Sequence, residues 1–310
     1  MQDNTGKNSK PKVAIVLSTY NGEKYLRELL ESLLNQTYPN IKIYIRDDGS
    51  KDRTKEILRE YCKKKNIELF FGENVGFVNS FFSLLKKCTD EEYFFFCDQD
   101  DIWLPDKVQN AVEVLKQRKN NIPILYFCNY DFYDSNMNFI GHNKVNPSLL
   151  GFENSLFDSV VFGFSVAINR KCYDMLIEKT PKHSCSHDMY AYLLSTAFGE
   201  VVFDERIGVK YRRHSGNVSP SGMGFLRLQI WRIKNIYLND YFSKVKSQLK
   251  EFENLYKDDL DIGKSRMLKL FTEDKFNIKS YLIKIFYPKR FRQKLPDELF
   301  LRAMFVLKKL

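Results

Sequence analysis

The sequence predicts an α/β protein, with a mostly parallel sheet flanked by helices and a mainly helical C-terminal extension. Three observations carry that reading. From Lys12 to Tyr130, short apolar runs alternate with amphipathic helical patterns, and strand–helix–strand alternation closes into parallel sheets. Two of the apolar runs stop in acids, Asp47-Asp48 and Asp98-Gln99-Asp100-Asp101, and the carboxyl ends of parallel strands form the ligand-binding rim of an open α/β sheet. Past Met223 the strand pattern gives way to basic, aromatic stretches. The expected divisions are a disordered lead-in over 1–11, an α/β domain over 12–219 and a basic amphipathic helical region over 220–310, with Pro220 to Gly224 as the boundary loop.

The elements follow in order. Lys12 to Ser18 is a β-branched run and reads as a first buried strand; Thr19 to Gly22 breaks it. Tyr25, Leu26, Leu29, Leu30, Leu33 and Leu34 recur at three- and four-residue spacing and predict a helix. Ile41 to Arg46 is a second strand, Asp52 to Lys65 a helix with a polar outer face, and Ile67 to Phe71 a third strand. Asn74 to Cys88 combines a Gly-containing turn with a helix through Phe77, Phe81, Leu84 and Leu85. Tyr93 to Cys97, an unbroken apolar run, suits a strand buried on both faces. A helix over Pro105 to Lys119 and a strand over Ile124 to Tyr130 complete the regular half.

The run from Glu92 to Val108 organises the rest. Three carboxylates crowded at the end of a buried strand repel one another, and desolvation adds to the cost. A divalent cation that also bridges a diphosphate would offset both. The plainer alternative is a solvated acidic turn capping the next helix.

The second half is less regular. Val160 to Ile168 is apolar with Gly163 inside it, where a glycine lets a ligand approach the backbone. Ser184 to Ser195 begins polar and turns apolar; by position Asp188 is either a helix N-cap or a base held at a helix start. Val201 to Asp204 and Ile207 to Arg212 read as two short strands. Arg212, Arg213 and His214 then form a basic loop, suited to phosphate oxygens or simply to solvent. Tyr281 to Phe291 and Leu299 to Leu310 are basic and aromatic. Such stripes either lie on an anionic membrane surface or pack against a neighbouring domain or a second subunit.

Composition narrows the function classes. The chain has 310 residues, a net charge of +10, 44% hydrophobic and 28% charged residues, as expected of a packed globule with an anionic partner. No run is long enough to span a bilayer. The polar N-terminus lacks the apolar core of a signal peptide, so a cytoplasmic location is expected, with the inner face of the cell membrane as its variant. The six cysteines carry no CxxC pair and read as reduced thiols. Neither GxGxxG nor GxxxxGK[ST] follows the first strand, which argues against a dinucleotide oxidoreductase and a P-loop ATPase.

Five short motifs occur in order: S-T-Y-N-G after the first strand, D-D-G-S after the second, N-V-G-F at Asn74 to Phe77, D-Q-D-D-I-W-L-P at Asp98 to Pro105, and H-D at His187-Asp188. With them, roughly Lys12 to Asn217 resembles a family 2 glycosyltransferase of the GT-A (Rossmann-like) fold. The D-Q-D-D-I-W-L-P-D-K, H-D-M-Y and Y-R-R-H runs look most like bacterial rhamnosyltransferases that build cell-wall or capsular polysaccharide. The resemblance implies roles. Ser18, Tyr20, Glu23, Asp47, Asp48, Asn79, Asp100, Arg212 and Arg213 would bind the donor nucleotide. Asp98, Asp100, Asp101 and His214 would hold a divalent metal, Mn2+ or Mg2+. Asp188 would be the general base. The donor would be dTDP-rhamnose or a UDP-hexose, the acceptor a glycan, lipid-linked glycan or glycoprotein glycan, and transfer would invert the anomeric carbon. The extended acidic motif leaves open which of its acids meet the metal. Membrane contact and a homodimer are further expectations; nucleic acid is not. Two other classes remain: a sugar-nucleotide pyrophosphorylase, which would normally show an N-terminal Gly-rich phosphate loop absent from Ser18 to Gly22, and a non-catalytic scaffold binding membrane or nucleic acid through its basic C-terminal region.

Overall fold

The computed structural model describes residues 10–64, 66–158, 160–214, 216–217 and 241–308. The expected lead-in up to residue 9, the boundary loop from Pro220 to Gly224 and the aromatic run from Phe225 to Tyr237 lie outside these residues.

Four parallel strands form the first half of a nine-stranded sheet: β1 (Val13–Thr19), β2 (Ile41–Asp47), β3 (Ile67–Phe71) and β4 (Tyr93–Cys97), in the order β3-β2-β1-β4. Helices α1 (Leu26–Leu34), α2 (Thr54–Tyr61) and α3 (Phe77–Leu85) are their crossovers. The sheet continues from β4 through β8 (Val166–Asn169), β6 (Ile124–Tyr133) and β9 (Glu200–Arg212) to β5 (Ile102–Trp103), with β7 (Phe139–His142) paired to β6. Strands β5, β7 and β8 run antiparallel to their neighbours and the other six are parallel. The mostly parallel sheet expected from the alternation is therefore present.

Both faces of the central strands are buried, which is why their sequences are continuously apolar rather than alternating. Ile15, Leu17 and Phe95 pack with α1, α2 and α4 (Lys107–Leu115) on one face. Val16, Phe94 and Phe96 pack on the other with α3, α6 (Arg170–Glu178) and α7 (His187–Phe198); between α4 and α6 lies the single turn α5 (Phe152–Ser155). The C-terminal helices α8 (Tyr241–Tyr256) and α9 (Ile262–Thr272) extend this second core: Phe252 meets Tyr190 at 5.7 Å and Phe271 meets Phe157 at 4.7 Å between ring centroids. Two further helices, α10 (Ile278–Phe286) and α11 (Leu295–Val306), end the described chain. No described helix is long and apolar enough to cross a membrane.

Two expectations change and two strands appear that were not expected. Val201 to Asp204 and Ile207 to Arg212 are one strand, β9, not two; its register against β6 shifts near Cys128 and Asn129, and the exposed Glu205 and Arg206 bulge outward there. A bulge of this kind bends a strand without ending it. The helix expected from Pro105 begins at Lys107, because Ile102 and Trp103 first pair with Lys210 and Val209 of β9. The two short edge strands β5 and β7 exist through these pairings rather than through any pattern of their own.

Candidate active site

Parallel pairing sets Thr19 opposite Asp47 and Leu17 opposite Cys97, so both acidic clusters emerge at one rim of the sheet. Their environments differ sharply.

The cluster after β2 is internally satisfied. Asp47 is fully buried; its carboxylate accepts the Ser50 N–H at 3.0 Å, the Ser50 hydroxyl and the Thr19 hydroxyl. Asp48 accepts the backbone N–H groups of Val75 and Gly76, each at 3.0 Å, and is ion-paired with Arg46. Gly76 sits at φ +81°, a conformation open to glycine and strained for other residues, and this lets the loop fold back onto the carboxylate. Both residues, expected at the donor, shape the β2 and β3 loops through these bonds.

The cluster after β4 is not satisfied in this way. Gln99 turns inward: its amide accepts the Tyr20 N–H at 2.8 Å and donates to the Tyr20 carbonyl at 3.0 Å, tying the β1 loop to the acidic loop. Asp98 lies beneath the rim, 3.7 Å from where a Cβ on Gly163 would stand. Burial, then the neighbouring charges of Asp100 and Asp188, push its carboxyl up to about 8. Asp101 is 1% exposed; one oxygen accepts the Arg212 N–H at 2.9 Å and the other has no partner. Burial and the same crowding of acids raise its carboxyl well above the ordinary range. Lys107 is buried behind the cluster, its Nζ 3.0 Å from the Trp103 ring centroid and without a hydrogen-bond partner; burial lowers its ammonium to about 8.

Asp100 faces the open side. Its Oδ2 lies 2.7 Å from His214 Nε2. The Gly216 N–H donates to His214 Nδ1 at 3.1 Å, so in the neutral ring the proton sits on Nε2 and points at the carboxylate. Both residues line a cleft of about 400 Å³ with Asn21, Gly22, Tyr25 and Ser135.

Asp188 lies in the first turn of α7, 8% exposed. The N-cap is Ser186, whose hydroxyl accepts the Met189 N–H at 3.3 Å and donates to Asp188 Oδ1. Asp188 therefore need not cap the helix. Its Oδ1 also accepts the Met189 N–H at 2.8 Å, and among the described residues its Oδ2 takes no hydrogen bond. Beside it His187 is buried and stacked on Phe81 at 3.7 Å, both ring nitrogens unpartnered; burial lowers its imidazolium to about 4.

The remaining expected residues scatter. Ser18 and Ser80 share a hydroxyl–hydroxyl hydrogen bond of 2.6 Å. Tyr20 is exposed, Glu23 accepts the Arg53 N–H at 2.9 Å, and Asn79 donates to the Val75 carbonyl at 3.0 Å. Arg212, expected at the donor phosphates, is 2% exposed and internally committed: it reaches the Asp100 and Ser135 carbonyls and the Glu28 carboxylate, and stacks over Tyr25 at 4.3 Å. It is a strut that holds the acidic loop to α1. Arg213 stacks on Phe132 at 3.7 Å. Motif reading overlooked Gln99, Lys107, His187, Tyr25 and Glu28 as site supports. Gln99 and Lys107 stood inside the quoted D-Q-D-D-I-W-L-P-D-K run, but Tyr25 and Glu28 carried no signal beyond helical spacing.

Among the described residues no group of three or more His, Cys, Asp or Glu side chains converges as a metal site. What the rim does offer is the Asp100–His214 pair, one carboxylate oxygen and one imidazole nitrogen, a donor set that divalent ions accept. Asp101 and Asp98 sit behind it.

Comparison with known proteins agrees with this architecture. The model for "Glycosyl transferase family 2" matches residues 14–173, just over half the chain. An uncharacterized glycosyltransferase of Rickettsia typhi is 29% identical over 70% of this chain and 68% of its own length. The dTDP-rhamnosyl transferase RfbG of Shigella flexneri is 27% identical over 67% of this chain and 75% of its own. Other rickettsial relatives are longer, and the chain spans only about a third of them, 30% and 35%. Among solved structures, S. aureus TarS 1–349 in complex with UDP-GlcNAc superposes with a TM-score of 0.57 at 16% identity, over 96% of this chain and 88% of that one. A Pyrobaculum calidifontis mannosyltransferase in complex with GDP-Man and Mn2+ does so with a TM-score of 0.55 at 16% identity, over 90% and 72%. The sheet order, the acidic rim and the family match together show that this chain belongs to glycosyl transferase family 2.

Proposed function

We propose that the chain moves a sugar, rhamnose or a hexose, from a nucleotide diphosphate to a hydroxyl of a cell-surface or glycoprotein glycan, with inversion at the anomeric carbon. The observation that carries the reading is the Asp100–His214 pair on the wall of the cleft. A carboxylate and an imidazole 2.7 Å apart would hold a divalent cation between them, through Asp100 Oδ2 and His214 Nε2. When bound, the ion would supply positive charge against the diphosphate leaving group. The chain's own residues do the rest. Asp188 presents a free carboxylate oxygen to take the acceptor proton, and Ser186 and the Met189 N–H fix its orientation. Arg212 and Gln99 hold the acidic loop in register with α1 and the β1 loop. The bound nucleotides of the two solved neighbours, UDP-GlcNAc and GDP-Man, and the dTDP-rhamnosyl relative set the donors worth trying.

The test is nucleotide release from dTDP-rhamnose, UDP-glucose, UDP-galactose, UDP-N-acetylhexosamines and GDP-mannose, with Mn2+, Mg2+ or chelator. Turnover of one donor that chelator abolishes, and that Asp100→Ala and Asp188→Asn remove, supports the reading. Full activity in both variants would sink it.

A further inference from the structure

We infer that the exposed face of α10 and α11 docks on an anionic lipid surface. Exposed large apolar side chains are concentrated here: of sixteen among the described residues, ten lie between Ile262 and Leu307. On α10 the outward residues Ile278, Leu282, Ile283 and Phe286 fall on two adjoining four-residue rows, and Phe286 is 76% exposed. On α11, Leu295, Leu299 and Val306 form a second stripe at helical spacing, Leu299 being 62% exposed. Leu282, Ile283, Phe286, Tyr287 and Pro288 line a groove of about 410 Å³.

The aromatic stretches thus divide between two fates. Phe291, Leu301 and Phe305 are buried against Phe157 and Phe271, while α10 has no buried residue at all. Hydrogen bonds hold α10 in place: Arg302 donates to the Lys284 and Ile285 carbonyls, each at 2.9 Å, and the Tyr281 hydroxyl donates to the Val306 carbonyl at 3.0 Å. A nine-residue helix gains little from its own backbone bonds in water, so this one is fixed in place with its apolar side uncovered.

Charge selects the occupant. Residues 275–308 carry nine Lys and Arg against two Asp and Glu, with Lys275, Lys279 and Lys294 exposed beside the apolar rows. A second copy on this face would set two strongly positive surfaces together. Anionic headgroups accept both features: apolar side chains enter the acyl boundary while lysine stems reach the phosphates. The contact needs nothing from the rim site and stands whether or not sugar transfer is the activity.

Co-sedimentation of the full chain with phosphatidylcholine vesicles, with and without phosphatidylglycerol, tests it. The chain should pellet with the anionic vesicles only, and less so as salt rises. Leu282→Glu/Phe286→Glu should lower the bound fraction about tenfold, as should Lys275→Glu/Lys279→Glu/Lys294→Glu. Thermal melting should be unchanged, because these side chains are exposed. Absence of binding to anionic vesicles, or binding that neither variant weakens, overturns the proposal. A dimer in sedimentation velocity that Phe286→Glu dissolves, without vesicle binding, assigns the face to a second copy instead and also overturns it.

Discussion

The two acidic clusters on the rim look alike in sequence and behave oppositely in the fold. Asp47 and Asp48 are buried and closed off, each saturated by backbone N–H groups, hydroxyls or Arg46. Asp98, Asp100 and Asp101 crowd one another: two have carboxyls pushed far upward, and the third is met by His214 at 2.7 Å and the Asn217 amide at 3.3 Å. A carboxylate that already has its donors builds a loop, whereas one left short of them is available for a ligand. Acids at a strand end are thus only half of a site; the other half is what the neighbouring loops fail to supply.

Substitutions can sharpen or break that contrast. The largest expected effect is on activity: Asp188→Asn should lower turnover by roughly a thousandfold, the scale of a lost general base, with Asp100→Ala close to it. Neither should lower the melting temperature, since Asp188 keeps its cap partner Ser186 and Asp100 leaves a crowded cluster. A melting temperature that falls in parallel with activity would place Asp100 among the builders instead.

The converse holds for the first cluster. Asp47→Asn leaves buried donors unpaired and should cost about 2 kcal/mol in denaturant unfolding. Asp48→Asn uncouples Arg46 and should cost about 3 kcal/mol. A silent Asp47→Asn would remove the structural role assigned to it.

The pH dependence follows from Asp98. Its folded carboxyl titrates at about 8, whereas an unfolded Asp titrates near about 4. Between these values the folded chain holds a proton that the unfolded chain has lost, so stability falls as pH rises from about 4 to about 8 and is flat above. Asp98→Asn should flatten that decline in chelator-treated protein, gaining stability over the parent at pH 8 and little at pH 4. Melting curves across this range check it, and parallel curves for parent and variant would contradict it.

A second pH effect, of opposite sign, lies at His187. Burial holds its imidazolium down to about 4, so the folded chain keeps it neutral where the unfolded chain would protonate it. Stability is lost as pH falls below about 6.5 towards 4. His187→Phe should remove that loss and keep the stack on Phe81; an unchanged acid limb would show that other groups govern it.

Much of the fold was legible because its signals are local. Continuous apolar runs such as Tyr93 to Cys97 can only be two-face-buried strands in an alternating pattern, and the rows of leucines from Leu26 to Leu33 specify one helix face. The elements that escaped reading, β5 and β7, are two and four residues long and owe their existence to partners far along the chain. The unbroken β9 escaped because its bulge at Glu205 and Arg206 looks in sequence like a strand end. The site was legible in its chemistry, through D-Q-D-D, H-D and Y-R-R-H, but not in its assignments. Arg212 reads in sequence as a phosphate ligand, and the motif carries no sign that Glu28, Tyr25 and the Asp100 carbonyl surround it in the fold.

By itself, then, the sequence determined which strands are buried, that their acids share a rim, and that the C-terminal region is basic and amphipathic, because periodicity and composition are properties of contiguous residues. Only the tertiary structure decided which acids receive hydrogen-bond donors from neighbouring loops and which stay short of them. It also decided which half of the C-terminal aromatics is buried and which is left outside. Those outcomes depend on hydrogen-bond donors and packing surfaces brought in from scores of residues away, and no local pattern records where those will arrive.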